Sequence, residues 1–517
     1  MRFHHFCFAS GCGRGAGAAL LALALTGCAS LQPTTDPAAS VSAAQALAVP
    51  LADAWRSPWP AAAAPVLASE PAPAPALAGT PSASSPTSKA ELAHWWRAFD
   101  DPALSALIEQ ALQAHTSVRA AQAALQQARS LNAISQAAQG PQLQASASTQ
   151  RAQAGQGGAA SAWRAGLDAS WELDWFGLRR MAEAATGAEA QAAAAQLGQA
   201  RVSLAAEVAL TYLEWSVLQQ RLSVLQRRLA LQEEFVQIVG WRVQAGLMSG
   251  QDLEQARLNL AQLRATLPEL QAAISQAEAA LAVLSGRPPQ TALDLPASGG
   301  IPVAGAALAR AIPADTLLQR PDVQRAQARL AAAVARTAQA DAARWPSLAL
   351  GGTLDWRSPR VSDLFDAGAL TRTLLLRLGA SLYDGGAARA QVQAQQAAAE
   401  QARIELEAAV LTALREVEHA LLALQASDQR LQLHGEAAEA AAAVEALALL
   451  RLTSGLIDYR IWLDARHNLL SAQTELSNAR AAWSADHVRL VKALGGGWNA
   501  AELQATPATR PDQNGNS

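Results

Sequence analysis

Trp163-Arg-Ala-Gly-Leu-Asp-Ala-Ser-Trp-Glu-Leu-Asp-Trp175 alternates without a break. Trp163, Ala165, Leu167, Ala169, Trp171, Leu173 and Trp175 fall on one side, and Arg164, Gly166, Asp168, Ser170, Glu172 and Asp174 on the other. A period of two marks a strand with two different faces. Three further stretches share it. Residues 142–150 set Leu143, Ala145 and Ala147 against Gln144, Ser146 and Ser148; residues 347–356 follow suit; and residues 373–383 align Leu374, Leu376, Leu378, Ala380 and Leu382, with Arg377 opposite. Each has about the length that crosses a bilayer at a tilt. One apolar face with tryptophan near the ends, and charges on the other, suit strands between lipid and a wet lumen better than the hairpins of a soluble sandwich. No continuous apolar run elsewhere is long enough for a membrane helix, so a crossing has to be made by strands. Four strands cannot close a barrel, and the eight from two chains enclose only packed side chains, so an open pore requires at least three chains.

The chain is duplicated. Arg242-Val-Gln-Ala-Gly246-Leu247 aligns with Arg451-Leu-Thr-Ser-Gly455-Leu456, then Ala256-Arg257 with Ala465-Arg466, Asn259 with Asn468, Leu267 with Leu476, and Leu284-Ser-Gly286 with Leu494-Gly495. The same spacing of roughly two hundred residues relates Pro141 to Pro346 and Gly177 to Gly385, which means two copies of one unit rather than a short-period solenoid. Each copy carries a short helix (115–139 in the first), a strand pair, a long helix (178–242) and a half-length helix (251–284 and 459–494). Trp215, Leu218, Leu222, Leu225 and Leu229 form a coiled-coil seam, matched by Val410, Leu414, Val417, Leu421 and Leu424. About sixty helical residues span roughly 90 Å. The two shorter helices of a copy together equal its long one, so they are expected to stack end to end beside it.

Alanine, leucine, glutamine and arginine dominate the 517 residues, as long helices prefer. A net charge of −3 gives nucleic-acid binding no electrostatic support. Arg2 and Arg14 precede an apolar run that ends in Leu25-Thr26-Gly27-Cys28, so residues 1–27 read as a signal peptide. Residues 28–90, rich in proline, alanine and serine, read as a tether. Trp55 and Trp59 within it suit either docking on the body or the membrane interface. Residues 91–290 and 291–498 hold the two repeats, with strand pairs at 142–175 and 347–383, and 499–517 read as a disordered tail. Cys7 and Cys12 lie in the leader, which leaves the mature chain no disulfide. The histidines are scattered without metal-ligand spacing, there is no phosphate-binding glycine loop, and no catalytic constellation is present. No cofactor is expected, and transport energy has to come from partners.

Leu25-Thr-Gly-Cys28 resembles the lipobox of bacterial lipoproteins, which implies a covalent lipid on Cys28; Ala29 in the next position implies sorting to the outer membrane. Trp95-Trp96-Arg-Ala-Phe99-Asp-Asp101-Pro102, Trp171-Glu-Leu-Asp174-Trp-Phe176-Gly177, Leu318-Gln-Arg320-Pro321-Asp322-Val323, Trp345-Pro346-Ser-Leu348, Leu382-Tyr-Asp384-Gly385-Gly386 and Lys492-Ala-Leu494-Gly495-Gly496-Gly497-Trp498 resemble, in order, motifs of the outer-membrane factor family, the TolC/OprM/NodT type. The resemblance covers residues 91–498. It implies a mainly helical fold with membrane strands: a homotrimer whose α-barrel continues a twelve-stranded β-barrel with four strands per chain. It also implies an exit duct that docks to a periplasmic adaptor and an inner-membrane pump, with the lipoprotein branch serving resistance-nodulation-division pumps. A periplasmic adaptor lipoprotein or a lipid-anchored structural coiled coil stands as the alternative, though neither needs two membrane-length strand pairs.

Two places are expected to carry function. One is the pair of tips, Gly246, Leu247, Met248 and Ser249 in the first copy and Gly455, Leu456 and Ile457 in the second, where the family meets its adaptor; efficient turns are the plainer reading. The other is a periplasmic constriction. The resemblance places Asp464 at one acidic gate position of TolC-like channels and Ile461 at the other, with Asp252, Asp458 and Arg460 as candidate partners in closing links. A solvated aspartate favoured by a helix dipole is the alternative for Asp464. His115 stands where the family usually has asparagine and is expected to start a helix.

Overall fold

The computed structural model describes residues 92–153, 159–296, 300–303 and 319–498. The signal peptide, Cys28, the tether with Trp55 and Trp59, and the tail lie outside the described residues. A 3-10 turn, Trp95–Phe99, leads into α1 (Pro102–Ala114) and α2 (Thr116–Ala137). There follow β1 (Gln142–Ala152), β2 (Ala160–Leu173), α3 (Leu178–Gln244), α4 (Gly250–Leu284), α5 (Pro321–Ala342), β3 (Ser347–Ser358), β4 (Leu370–Gly379), α6 (Ala387–Thr453) and α7 (Tyr459–Ala493). The fold is mainly helical with a small antiparallel sheet.

The halves match element for element. The short helices α2 and α5 have 22 residues each, the long helices α3 and α6 have 67, and α4 and α7 have 35. The long helices start after left-handed glycines, Gly177 (φ 84) and Gly386 (φ 90), so Gly386 rather than Gly385 is the counterpart of Gly177. His115 caps α2, its ring nitrogen accepting from the Ser117 amide. The helix α1 has no counterpart in the expected layout. Asp101 caps it by accepting from the amides of Ala103 (2.9 Å) and Leu104 (3.0 Å), and also accepts the Tyr212 hydroxyl at 3.0 Å. Burial, and then the Asp101 charge, hold the Tyr212 hydroxyl protonated far above the ordinary tyrosine range. This clasp fixes Trp95, Trp96 and Phe99 in a core with Leu104, Ile108, Tyr212, Trp215, Leu281 and Val491.

The sheet order is β1-β2-β3-β4, antiparallel throughout. The register carries the face assignment across all four strands. Leu143 pairs with Ala169, Ala165 with Trp356, Trp171 with Leu350, Leu350 with Leu376 and Leu348 with Leu378. On the opposite face Gln144 pairs with Asp168 and Ala349 with Arg377, while Arg164 forks onto Asp355 at 2.9 and 2.8 Å. Arg372, opposite Leu354, is an exception on the apolar face. Both outer edges, β1 and β4, lack partners within the described chain. The strand bounds differ from the alternation at both ends of each pair: at the hairpin ends β1 and β3 run on to Ala152 and Ser358 and β2 and β4 begin earlier, at Ala160 and Leu370, while at the helix ends β2 stops at Leu173 and β4 at Gly379, short of Trp175 and Tyr383. The early stops are caused by the strand-to-helix turn. Asp174 accepts from the amides of Arg179 (3.1 Å) and Arg180 (2.9 Å), and Asp384 from those of Gly386 and Ala388 (both 2.8 Å), so these carboxylates bend the chain into α3 and α6.

The helices pack side by side in columns. The stack of α2 and α4 lies on α3, α3 lies on the stack of α5 and α7, and that stack lies on α6. The end-to-end stacking expected from helix lengths is present. Gly286 ends α4 at φ 78, and a Cβ there would lie 2.9 Å from that of Ala114, just before α2; Gly495 ends α7 at φ 78 and abuts Arg320 at the start of α5. Arg320 is buried at this junction and donates to Asp322, Glu416 and the carbonyl of Ala493. Gly286→Val combines a forbidden φ with a clash and is expected to destabilise the protein by ~1–3 kcal/mol. The measurement is the temperature at which helical circular dichroism is lost, and an unshifted transition would refute the close junction.

Candidate functional site at the helix tips and the first turns of α7

Both tips close by the same hydrogen bonds. The amides of Gly246 and Leu247 donate to the carbonyls of Val243 (3.0 Å) and Arg242 (2.8 Å); those of Gly455 and Leu456 donate to Leu452 and Arg451 (both 2.9 Å). This is the Schellman turn, which needs a left-handed residue at its end, and Gly246 (φ 72) and Gly455 (φ 71) supply it. The turn commonly packs its following residue back on the helix. Here the position it would pack on is an arginine in both copies, and Leu247 and Leu456 stand about three-quarters exposed. Met248 and Ile457 beside them are half-buried. Ser249 caps α4: its hydroxyl accepts the Asp252 amide (3.3 Å) while Asp252 accepts the Ser249 amide (3.1 Å) and hydroxyl (2.7 Å).

The acidic residues expected near the constriction divide into two kinds. Asp458 and Asp252 are engaged at helix starts. Asp458 caps α7 by accepting the Arg460 amide (3.1 Å), and receives Arg242 from the other copy's tip at 2.7 Å. Its carboxyl is held below the ordinary range, first by the Arg460 amide and then by Arg242. Asp252 is likewise lowered, by the Ser249 hydroxyl first and its amide next, with the Arg460 charge adding a smaller part. Asp464 differs. It is exposed one turn beyond the exposed Ile461, on the same side of α7, and no hydrogen bond or ion pair to it is found among the described residues.

Arg242, Phe235, Tyr459 and Trp462 join this site without having been singled out as site residues in the sequence. Phe235 of α3 stacks on Tyr459 (6.3 Å, 10°), which tilts against Trp462 (5.1 Å). Trp462 donates to Glu445 at 3.1 Å, and Arg466 approaches the same carboxylate at 3.4 Å. Burial, with Glu234 nearby, pushes the Tyr459 hydroxyl up to about 12. Further along, burial and then Arg228 lower His467, with Asp464 acting in the opposite direction. Arg242 was legible as a repeat marker, but its partner lies 216 residues away in the other copy. No cluster of metal-ligating side chains occurs among the described residues, and no described helix is long and apolar enough to cross a membrane.

The comparisons agree with this architecture. Residues 107–287 and 312–496 match the family described as Outer membrane efflux protein. The chain is 31% identical over 352 residues to the toluene efflux pump outer membrane protein TtgF of Pseudomonas putida, covering 68% of this chain and 72% of that protein. It is 31% identical over 434 residues to the pyoverdine export outer membrane protein OpmQ of Pseudomonas putida, covering 80% and 91%. The structure of the outer-membrane channel OprN is similar with a TM-score of 0.72 and 30% identity, over 84% of this chain and 99% of that one. The match across both halves, together with these relatives, places the chain in the outer membrane efflux protein family, as the outer-membrane exit-duct subunit of an efflux system.

Proposed function

We propose that three copies close into one duct, in which a twelve-stranded barrel crosses the outer membrane and the helical columns form a tunnel into the periplasm. The observation that carries this reading is a contrast between the long helices. On α3, Ala195, Val202, Leu213 and Val224 are buried, at 2–6% exposure; their counterparts on α6, Ile404, Leu411, Leu422 and Leu433, are 49–62% exposed. The helix α3 has neighbours on both flanks, while α6 is the last column among the described residues. The stack of α2 and α4 is the free flank on the other side, where Leu131, Ile134 and Leu258 are exposed. The packing of α3 on the stack of α5 and α7 then repeats between chains, with α6 of one copy on α2 and α4 of the next. The sheet closes by the same repetition, β4 of one copy beside β1 of the next.

A lipid on Cys28 anchors each copy in the outer membrane. The exposed Leu247 and Leu456, released from the usual turn packing, offer apolar anchors at the tips to a periplasmic adaptor. An inner-membrane pump of the resistance-nodulation-division type supplies the energy, and the duct itself is passive. Asp464, which has no ion pair among the described residues, forms with Ile461 the constriction: three carboxylates at close range disfavour joint ionisation and attract cations. The Arg242–Asp458 bridge joins the two tips of each copy and holds the end closed.

Outer-membrane fractions run without heating in sodium dodecyl sulfate are expected to show a heat-modifiable trimer; a monomer there refutes the ring. In planar bilayers Asp464→Ala is expected to raise single-channel conductance or abolish cation block, and an unchanged record sinks the gate assignment. The Arg242–Asp458 bridge has a fixed sign with pH. A carboxylate whose folded pKa is depressed contributes stability above its unfolded value, near 3.9, and loses it as pH falls through the folded value. Acid-induced opening is therefore expected only below about pH 4, and Asp458→Asn is expected to open the tips at neutral pH; conductance measured against pH checks both.

A further inference from the structure

The duplication allows contacts within a chain to be transposed to the seam between copies. The long helices begin at Leu178 and Ala387, and the tip-side helices at Gly250 and Tyr459; 387 minus 178 and 459 minus 250 both give 209. Within the chain, α3 and α7 run antiparallel with a series of arginines along α3. Arg221 donates to Asn478 (3.2 and 3.0 Å), Arg228 to Ser471 and the His467 carbonyl, and Arg242 to Asp458. The equivalent seam between copies sets α6 against α4.

Shifted by this offset, most of these contacts lose a charge. Arg228 and Ser471 become Ala437 and Gln262, and Arg242 and Asp458 become Arg451 and Ser249. On the other half of the column α2 and α5 begin at Thr116 and Pro321, 205 apart by 321 minus 116, and the Arg336–Glu189 ion pair becomes Leu131 and Ala398. One contact changes the other way: Arg221 and Asn478 become Arg430 and Glu269, a pair of opposite charges. Both side chains are exposed, and neither has a hydrogen bond or ion pair among the described residues.

We propose that Arg430 of one copy forms a salt bridge with Glu269 of the next, and that this pair sets the register of the seam between copies. The proposal rests on the ring described above. Exposed pairs add little stability singly, but they discriminate between alignments of an apolar seam. A slip of one heptad on α4 in either direction would set Arg430 against Gln262 or Gln276, and lose the pair.

The mature chain holds no cysteine besides Cys28, so thiol cross-linking reads the seam directly. In outer membranes treated with a short bis-maleimide, Arg430→Cys combined with Glu269→Cys is expected to give a ladder of covalent dimers and trimers on denaturing gels. Either single variant is expected to stay monomeric, and so is the in-chain pair Arg221→Cys with Asn478→Cys. An intact trimer with no ladder from the first pair overturns the register while leaving the ring standing; absence of any trimer overturns both. Arg430→Glu is expected to lower the temperature at which the trimer dissociates, and Arg430→Glu with Glu269→Arg to restore it. Failure of the double exchange to restore it overturns the pairing.

Discussion

A strand edge cannot be left open in hydrocarbon. Each unpaired backbone amide or carbonyl there costs several kcal/mol, which is why sheets cross membranes only as closed barrels. The described residues form four strands with two free edges, β1 and β4. Everything below the sheet is consistent with that requirement. The helical columns end in free flanks on the same two sides of the chain order, and α6 displays leucines where α3 has buried ones. In the proposed ring, sheet and helices each gain a neighbouring copy on both sides for different reasons: hydrogen bonds above and apolar burial below.

Much of this is legible in the period-two and heptad patterns of the sequence. Alternation in the strands fixes which side chains share a face, and the observed register keeps Leu350, Trp171 and Leu376 together as alternation requires. Helix lengths implied stacked short helices beside a long one, because residue rise is constant. Strand ends were less legible. Trp175 and Leu382 continue the alternation into a turn that is set by backbone amides donating to Asp174 and Asp384, and short-range carboxylate capping leaves no periodic signal. The helix α1 was hidden because its buried positions, Leu104, Leu107, Ile108 and Ala111, occupy only a few turns.

At the tips the sequence pointed to the turns but not to what fastens them. Gly246 and Gly455 are readable as turn residues, and the exposure of Leu247 and Leu456 goes with Arg242 and Arg451, which stand where those turns would pack them. The Arg242–Asp458 bridge and the Phe235–Tyr459 stack join residues more than two hundred positions apart, and local patterns carry no information about such pairs. Asp458 and Asp252 both begin helices, where backbone amides favour the charged carboxylate. Asp464 lies beyond the first turn and receives no such support, which separates it physically from the acidic residues around it.

Duplication within one chain has a kinetic consequence. The seam of α3 with α5 and α7 forms between segments already tethered, so it needs little driving force and tolerates polar links such as Arg221–Asn478 and Arg228–Ser471. In the proposed ring the equivalent seam on α6 forms between separate molecules, against the full loss of their independent motion. Side-chain size follows that division: Ala195, Val202 and Val224 on α3 are replaced on α6 by Ile404, Leu411 and Leu433. Fusing two units into one gene halves the number of joints that such a ring has to make between molecules, and lets the intramolecular and intermolecular joints diverge in chemistry.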